Sequence, residues 1–239
     1  MPADYALYLE SGPKRRKTMV HVLDLLGCVA VGPTTEAAIE ATPEAIRAYL
    51  RFLQRCGEDA DPGAPLTTHV EEHITEGMWL GNGSPYLMYK PDYQPVTAAE
   101  VETLTRRFHE MRSLLAAWAA QQAPESLDAD TKAGRRNRAI LLHVLAAAGN
   151  YASPQVGGIP GNSKVVTATE RGELSLADGL RESEALVSDA LRATTGQQRM
   201  EVVTHGQITR SLRKAIRRTL EHDWEHIAEL SRRLGGPEV

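Results

Sequence analysis

Cysteine is nearly absent from this chain: Cys28 and Cys56 are the two cysteines in 239 residues. Two thiols far apart make neither a disulfide framework nor a thiolate-rich zinc finger, and small buried thiols are the default reading. No apolar run approaches the roughly 20 residues that span a bilayer, so no membrane segment is expected. Met1 to Glu10 lacks a basic stretch leading into an apolar one, so no secretory signal is expected and a cytoplasmic, reduced setting follows. Charge excess is missing as well. With 27 basic against 31 acidic residues the net charge is -4, which exerts no global pull on nucleic acid or anionic membranes. What is present is an apolar fraction of 42%, ample for a core, and eight histidines. With so little cysteine, those histidines are the soft metal ligands that remain.

The length allows one large domain or two small ones. The first 94 residues carry 8 basic and 13 acidic residues, the remainder 19 and 18. Periodicity changes at the same place, from short β-like runs punctuated by Gly and Pro to a mostly helical pattern. The expected organisation is an α/β module over residues 1–80, a turn-rich connection over 81–94 (GNGSPYLMYKPDYQ), and a helical domain over 95–239.

In the first part, Tyr5 to Glu10 and Thr18 to Leu23 are β-compatible and flank SGPKRRK, a polar turn. Cys28 to Val31 is a third short run. Thr34 or Thr35, followed by Glu36, supplies the side-chain oxygen of a helix N-cap. Pro43 suits a helix first turn, and Ile46, Leu50 and Leu53 repeat at helical spacing to about Cys56. Leu66 to Ile74 reads as a last strand. The order β-β-β-α-β predicts a small sheet covered by a helix on one face. The segment Tyr5 to Arg55 resembles the HicB antitoxin family through Tyr5-x-x-x-x-Glu10, Leu25-Leu26-Gly27-Cys28, Gly32 and Thr34-Thr35-Glu36-Ala37-Ala38. That resemblance implies a partial RNase H-like sheet that binds a partner protein. No ribbon-helix-helix or helix-turn-helix module follows it, so no nucleic-acid binding is expected.

In the second part, Val101, Leu104, Phe108, Met111, Leu115 and Trp118 form one apolar stripe. A second helix is expected from about Asp130 to Tyr151, a third from Leu176 to Ala193 and a last from about Ile208 to Leu234. Four amphipathic helices sharing a core read as a four-helix bundle. Ala152 to Gly172, with Gly157, Gly158, Pro160 and Gly161, reads as a long connection, either functional or a simple insertion.

The last helix holds His222 and His226, i and i+4 on one face. At about 100° per residue from Leu212, the apolar stripe covers roughly 0° to 80° and the two histidines fall near 280° and 320°. Thr219, Ala215 and Ser211 share that flank and leave room for a pocket. His143, i+3 from Ile140, is expected to face inward on the second helix, either as a hydrogen-bonded core residue or as a third ligand. The bland alternative for His222 and His226 is a solvated pair beside Asp223 and Glu225; those two acids are also the candidates to orient a ligand.

One inward histidine on the second helix and a His-x3-His pair on the closing one, together with the phrase Leu212-Arg213-Lys214-x-x-Arg217-Arg218-x-Leu220-Glu221-His222-x-x-Glu225-His226, resemble the DinB/YfiT-like metal-dependent superfamily from Pro95 to Leu234. The resemblance implies a bundle whose His143, His222 and His226 hold Zn²⁺ or Ni²⁺ with open coordination positions. It also implies hydrolysis or thiol transfer on a small molecule, and homodimerisation through helices. A different class stays open: a non-catalytic metal-binding or interaction protein whose HicB-like module contacts a partner. No general base or nucleophile is identifiable.

The other candidates carry less. His69 and His73 lie in a segment read as a strand, where i and i+4 are about 13 Å apart; in a helix they would form a rival site. His21 sits in the second strand, His109 on the exposed side of the first long helix, and His205 near a helix start. Arg210, Arg213, Lys214, Arg217 and Arg218 read as a solvated face rather than a phosphate site.

Overall fold

The computed structural model describes residues 2–13, 16–131 and 134–238. Positions 14 and 15, in the expected polar turn, and 132 and 133, at the expected start of the second helix, lie outside the described residues. The fold is α+β: a four-stranded mixed sheet at the N-terminal end, then a mainly helical chain. It divides into two compact units. One is Met1–Pro95 with Met200–Glu225; the other is Val96–Arg199 with His226–Val239.

The first unit follows the expected order, β1 (Ala3–Ser11), β2 (Thr18–Val22), β3 (Val29–Gly32), α1 (Thr35–Arg55) and β4 (Leu66–Ile74). The sheet order is β3-β2-β1-β4, with β1 antiparallel to β2 and parallel to β4. A parallel pair needs a crossover, and α1 supplies it. Thr34 caps α1 by accepting the Ala37 N–H at 3.2 Å. Pro43 does not open a helix; it lies inside this single one.

Successive β1 side chains point to opposite faces. Ser11 and Thr18 meet Thr35 of α1 through their hydroxyls at 3.2 and 3.0 Å, so the Leu7, Leu9 and Ser11 face looks toward that helix. The opposite face is not left to solvent, as a one-sided cover predicts. Tyr8 and His21 each hold their rings 5.3 Å from Tyr89. Glu10 accepts the backbone N–H groups of Gly83 and Ser84. Residues 83–92 therefore roof the second face, and Leu7 to Ser11 are buried on both sides. Burial on both faces explains why this strand reads as a run of apolar residues broken by a buried glutamate.

Ile208 to Ser211 is not the start of the last helix. It is the second strand, β6 (Ile208–Ser211), of a hairpin whose first strand is β5 (Val202–His205), in keeping with the β-branched residues of both strands and Gly206 at φ 61°. The last helix runs Leu212–Ser231. Within the first unit, its Trp224 packs 4.9 Å from Tyr49 and 5.1 Å from Phe52.

The second unit contains α2 (Ala98–Gln121), α3 (Pro124–Asp128), α4 (Asn137–Val156), α5 (Asn162–Glu170), α6 (Leu176–Arg192) and α7 (Gly196–Met200); the final helix is α8. Thr97 and Glu100 cap α2 reciprocally. α2 packs along α6, and α4 and α5 pack against α6 as well. The second helix begins at Asn137, later than expected. The expected long connection is helical in its second half: Gly157, Gly158 and Gly161 take positive φ, turning the chain back so that α5 docks on α4. Gly149 of α4 faces the Asn162 amide with no room for a side chain, and Asn162 accepts from Ser183 at 2.7 Å.

Candidate metal centre

The first half of α8 is polar in sequence and buried in the fold. Lys214, Arg217, Arg218, Glu221 and Asp223 are all buried, so the solvated-face reading of the basic residues is overturned for Lys214, Arg217 and Arg218. Each has a partner. Arg217 donates Nη1–H to Glu221 at 2.8 Å and forks onto Asp92. Arg218 donates to Glu221 at 2.8 Å. Lys214 Nζ donates to the carbonyls of Pro85 and Thr209 at 2.7 and 2.8 Å, and burial beside Arg217 lowers its pKa to about 8. His21 Nδ1 lies 2.9 Å from Glu221 Oε1. Burial alone would raise the Glu221 carboxyl; Arg217, His21 and Arg218 together hold it far below the usual range. This charge cluster holds the first half of α8 against the sheet and so fixes where the helix's histidines begin.

His222 and His226 follow on α8, one turn apart. His143 stands on α4. The His143 and His226 rings are 5.2 Å apart at 78°. One nitrogen from each of His143, His222 and His226 lies within 4.8 Å of the others. The three residues expected from sequence do come together.

Their exposure differs. His222 and His226 are buried at 6% and 5% relative exposure, while His143 is exposed rather than inward-facing. The reason is its stripe: Ala139, His143, Ala146 and Asn150 recur at helical spacing and none of them is buried. The cluster thus has two buried imidazoles and one exposed one.

His226 Nδ1 is 2.8 Å from Glu229 Oε2. Glu229 also accepts from Arg233 at 3.0 Å and Arg135 at 3.4 Å. The hydrogen bond with His226, then the charges of His226, Arg135 and Arg233, draw its pKa down to about 2 against the opposing effect of burial. Glu229 was not among the sequence candidates, although a carboxylate three residues beyond a histidine on one helix is a readable signal. The candidates named instead sit elsewhere: Asp223 is buried with its carboxylate 3.9 Å from His222 Nδ1, beyond hydrogen-bond reach, and Glu225 lies 3.8 Å from Lys17.

The remaining histidines have separate tasks. His69 and His73 lie on a strand, β4, as expected. His69 pairs with Asp4 at 3.0 Å on the surface, whereas His73 Nε2 meets the Ser11 hydroxyl at 2.7 Å. His109 pairs with Glu184 at 3.0 Å, and His205 ends a hairpin strand rather than preceding a helix. Cys28 and Cys56 are buried free thiols, and burial pushes the Cys28 thiol far up, which leaves it inert.

Among the described residues, these three histidines are the one grouping of three His, Cys, Asp or Glu side chains whose ligand atoms approach so closely. No helix is long and apolar enough to cross a membrane. No family model, curated protein or solved structure matches the chain. The chemistry is therefore argued from its own residues.

Proposed function

We propose that this chain binds a divalent metal, Zn²⁺ or Ni²⁺, through His143, His222 and His226, and acts on a small molecule by hydrolysis or thiol transfer. The observation that carries the reading is the approach of three imidazole nitrogens to within 4.8 Å of one another. The donor set fits: neutral imidazoles suit Zn²⁺ and Ni²⁺, and three protein ligands leave positions open, the pattern of catalytic rather than structural sites. When bound, such a metal supplies Lewis-acid activation of a substrate atom or of water. The chain's own part is to hold the donors, with two of them shielded from water and His143 at the open edge. Thr219 and Ala215, buried on the histidine flank of α8, keep that flank narrow.

Helices α2, α4 and α6 with the last turns of α8 are read here as a DinB-like four-helix bundle. Supporting this, Arg112 of α2 donates to Val144 O of α4 at 2.8 Å, and Trp118 of α2 donates to Gly235 O beyond α8 at 2.7 Å. The sheet with its crossover helix supports the HicB-like reading of the first 80 residues, and with it a partner protein for that module.

The deciding experiment is elemental analysis after loading with Zn²⁺ and Ni²⁺ and removing excess. About one metal per chain is expected for wild type, with loss in H222A and H226A and retention in H69A. Absence of stoichiometric metal in wild type overturns the reading, and so does metal kept by both H222A and H226A. A loaded protein that turns over neither activated esters nor thiols with an electrophile is a binding protein, not an enzyme.

A further inference from the structure

We propose that Glu229 is a positioning residue that fixes His226 as its Nδ1–H tautomer and leaves Nε2 as the nitrogen turned to the metal. The inference rests on the metal-binding reading above and names the groups that prepare it. An imidazole that coordinates through one nitrogen does so best when the other donates to a fixed acceptor, which sets both tautomer and ring angle. His226 meets that condition through Nδ1, 2.8 Å from Glu229 Oε2. Nε2 is then the nitrogen it contributes to the cluster with His143 and His222.

Glu229 is itself held at both oxygens. Arg233 Nη2 donates to Oε1 at 3.0 Å, and Arg135 Nη2 reaches Oε2 at 3.4 Å. Arg233 Nη1 in turn donates to Arg135 O at 2.8 Å and to Asn137 Oδ1 at 2.7 Å. Asn137 is the first residue of α4, the helix that carries His143. One carboxylate and one guanidinium therefore link the last turns of α8 to the head of α4, inside the second unit. The link governs two quantities that a metal requires: the rotation of the His226 ring and the spacing between the elements bearing His226 and His143. With two guanidiniums sharing the carboxylate charge, the role of Glu229 is mainly geometric. Glutamine keeps one acceptor oxygen, so it can still take the Nδ1–H of His226 while giving up the contact to Arg233.

The test uses wild type, E229Q and E229A with two measurements. Zn²⁺ affinity is read by competition with a chromophoric chelator. The His226 tautomer is read from ¹⁵N shifts of the metal-free protein at about pH 8.5, above the ordinary imidazole value. The expected results are a loss of about 10- to 100-fold in Zn²⁺ affinity for E229A, a smaller loss in E229Q, and a single Nδ1–H tautomer in wild type and E229Q that becomes a mixture in E229A. Wild-type affinity in E229A, or an unchanged tautomer, overturns the proposal; so does a mixed tautomer in E229Q, which decides the matter even where E229A fails to fold. A wild-type protein that shows the single tautomer but takes up no Zn²⁺ overturns the metal reading instead.

Discussion

Arg217 and Asp92, 125 positions apart in the chain, meet in a two-pronged fork: Nε–H to Oδ1 and Nη2–H to Oδ2, each at 2.8 Å. Both side chains are 1% exposed, and Nη1 of the same guanidinium reaches Glu221. One cation thus answers two carboxylates inside the first unit. Removing it leaves two buried negative charges with one partner fewer. R217M is expected to destabilise the first unit by about 3–5 kcal/mol, the cost of breaking a buried pair from one side. R51A, which removes a surface pair with Glu44 at 3.1 Å, costs about 0–1 kcal/mol. Urea unfolding of both variants checks the contrast, and equal losses would refute it.

Two paired carboxylates, one in each unit, set an acid limit. Glu221 titrates well below its ordinary value of 4.5 in the fold, and Glu229 does so at about 2. As pH falls below 4.5 the unfolded chain takes up these protons first, so stability drops with falling pH. Above 4.5 the contribution is fully present; for Glu229 it is gone near pH 2. E229Q is expected to show a shallower loss of stability between pH 4.5 and 2 than wild type. Parallel acid-unfolding curves for the two proteins would contradict this.

What the sequence made legible was whatever depends on near neighbours. The β-compatible run of β1, the helix cap at Thr34 (one of two adjacent threonines the sequence offered) and the four-residue step between His222 and His226 are local, and all appear in the fold. His143 shows the limit of locality: its partnership with His226 held, yet its exposure followed from the unremarkable stripe Ala139, Ala146 and Asn150 rather than from Ile140. The segment Leu212 to Glu221 looked like a solvated face because its basic residues spread around the helix and have acidic neighbours. Its true partners, Asp92 and His21, lie 125 and 200 positions away, and no helical period encodes them. The second strand of the hairpin before α8 was absorbed into a helix because Ile208 and Leu212 are four apart. Only cross-strand pairing with Val202 and Val203 separates the two readings.

Gly27 gives a prediction of close packing. Its φ is +106°, and a Cβ there would run into the Tyr49 hydroxyl, which donates to Leu26 O at 2.6 Å. G27A therefore combines backbone strain with displacement of a buried hydrogen bond, and is expected to cost roughly 1–3 kcal/mol. Y49F loses the hydrogen bond alone, about 1 kcal/mol. Because the obstructing atom is the hydroxyl, the double variant G27A/Y49F is expected to cost less than the two singles combined. Additive losses in a denaturation cycle would remove the clash from the account.

Metal binding by three imidazoles is also proton release. Each must be neutral to coordinate, so protons compete with the metal. Zn²⁺ affinity is therefore expected to weaken as pH falls, with a limiting slope of at most about three in log affinity per pH unit, one for each ligand. H143A removes one proton from that count and lowers the slope, whereas H69A leaves it unchanged. The same linkage predicts a thermal signature. At a free Zn²⁺ concentration of about 100 times the dissociation constant, the folded state gains about 2.7 kcal/mol, a rise in Tm that a chelator reverses. Competition titrations over a series of pH values measure the slope directly, and a pH-independent affinity would remove the histidines from the site.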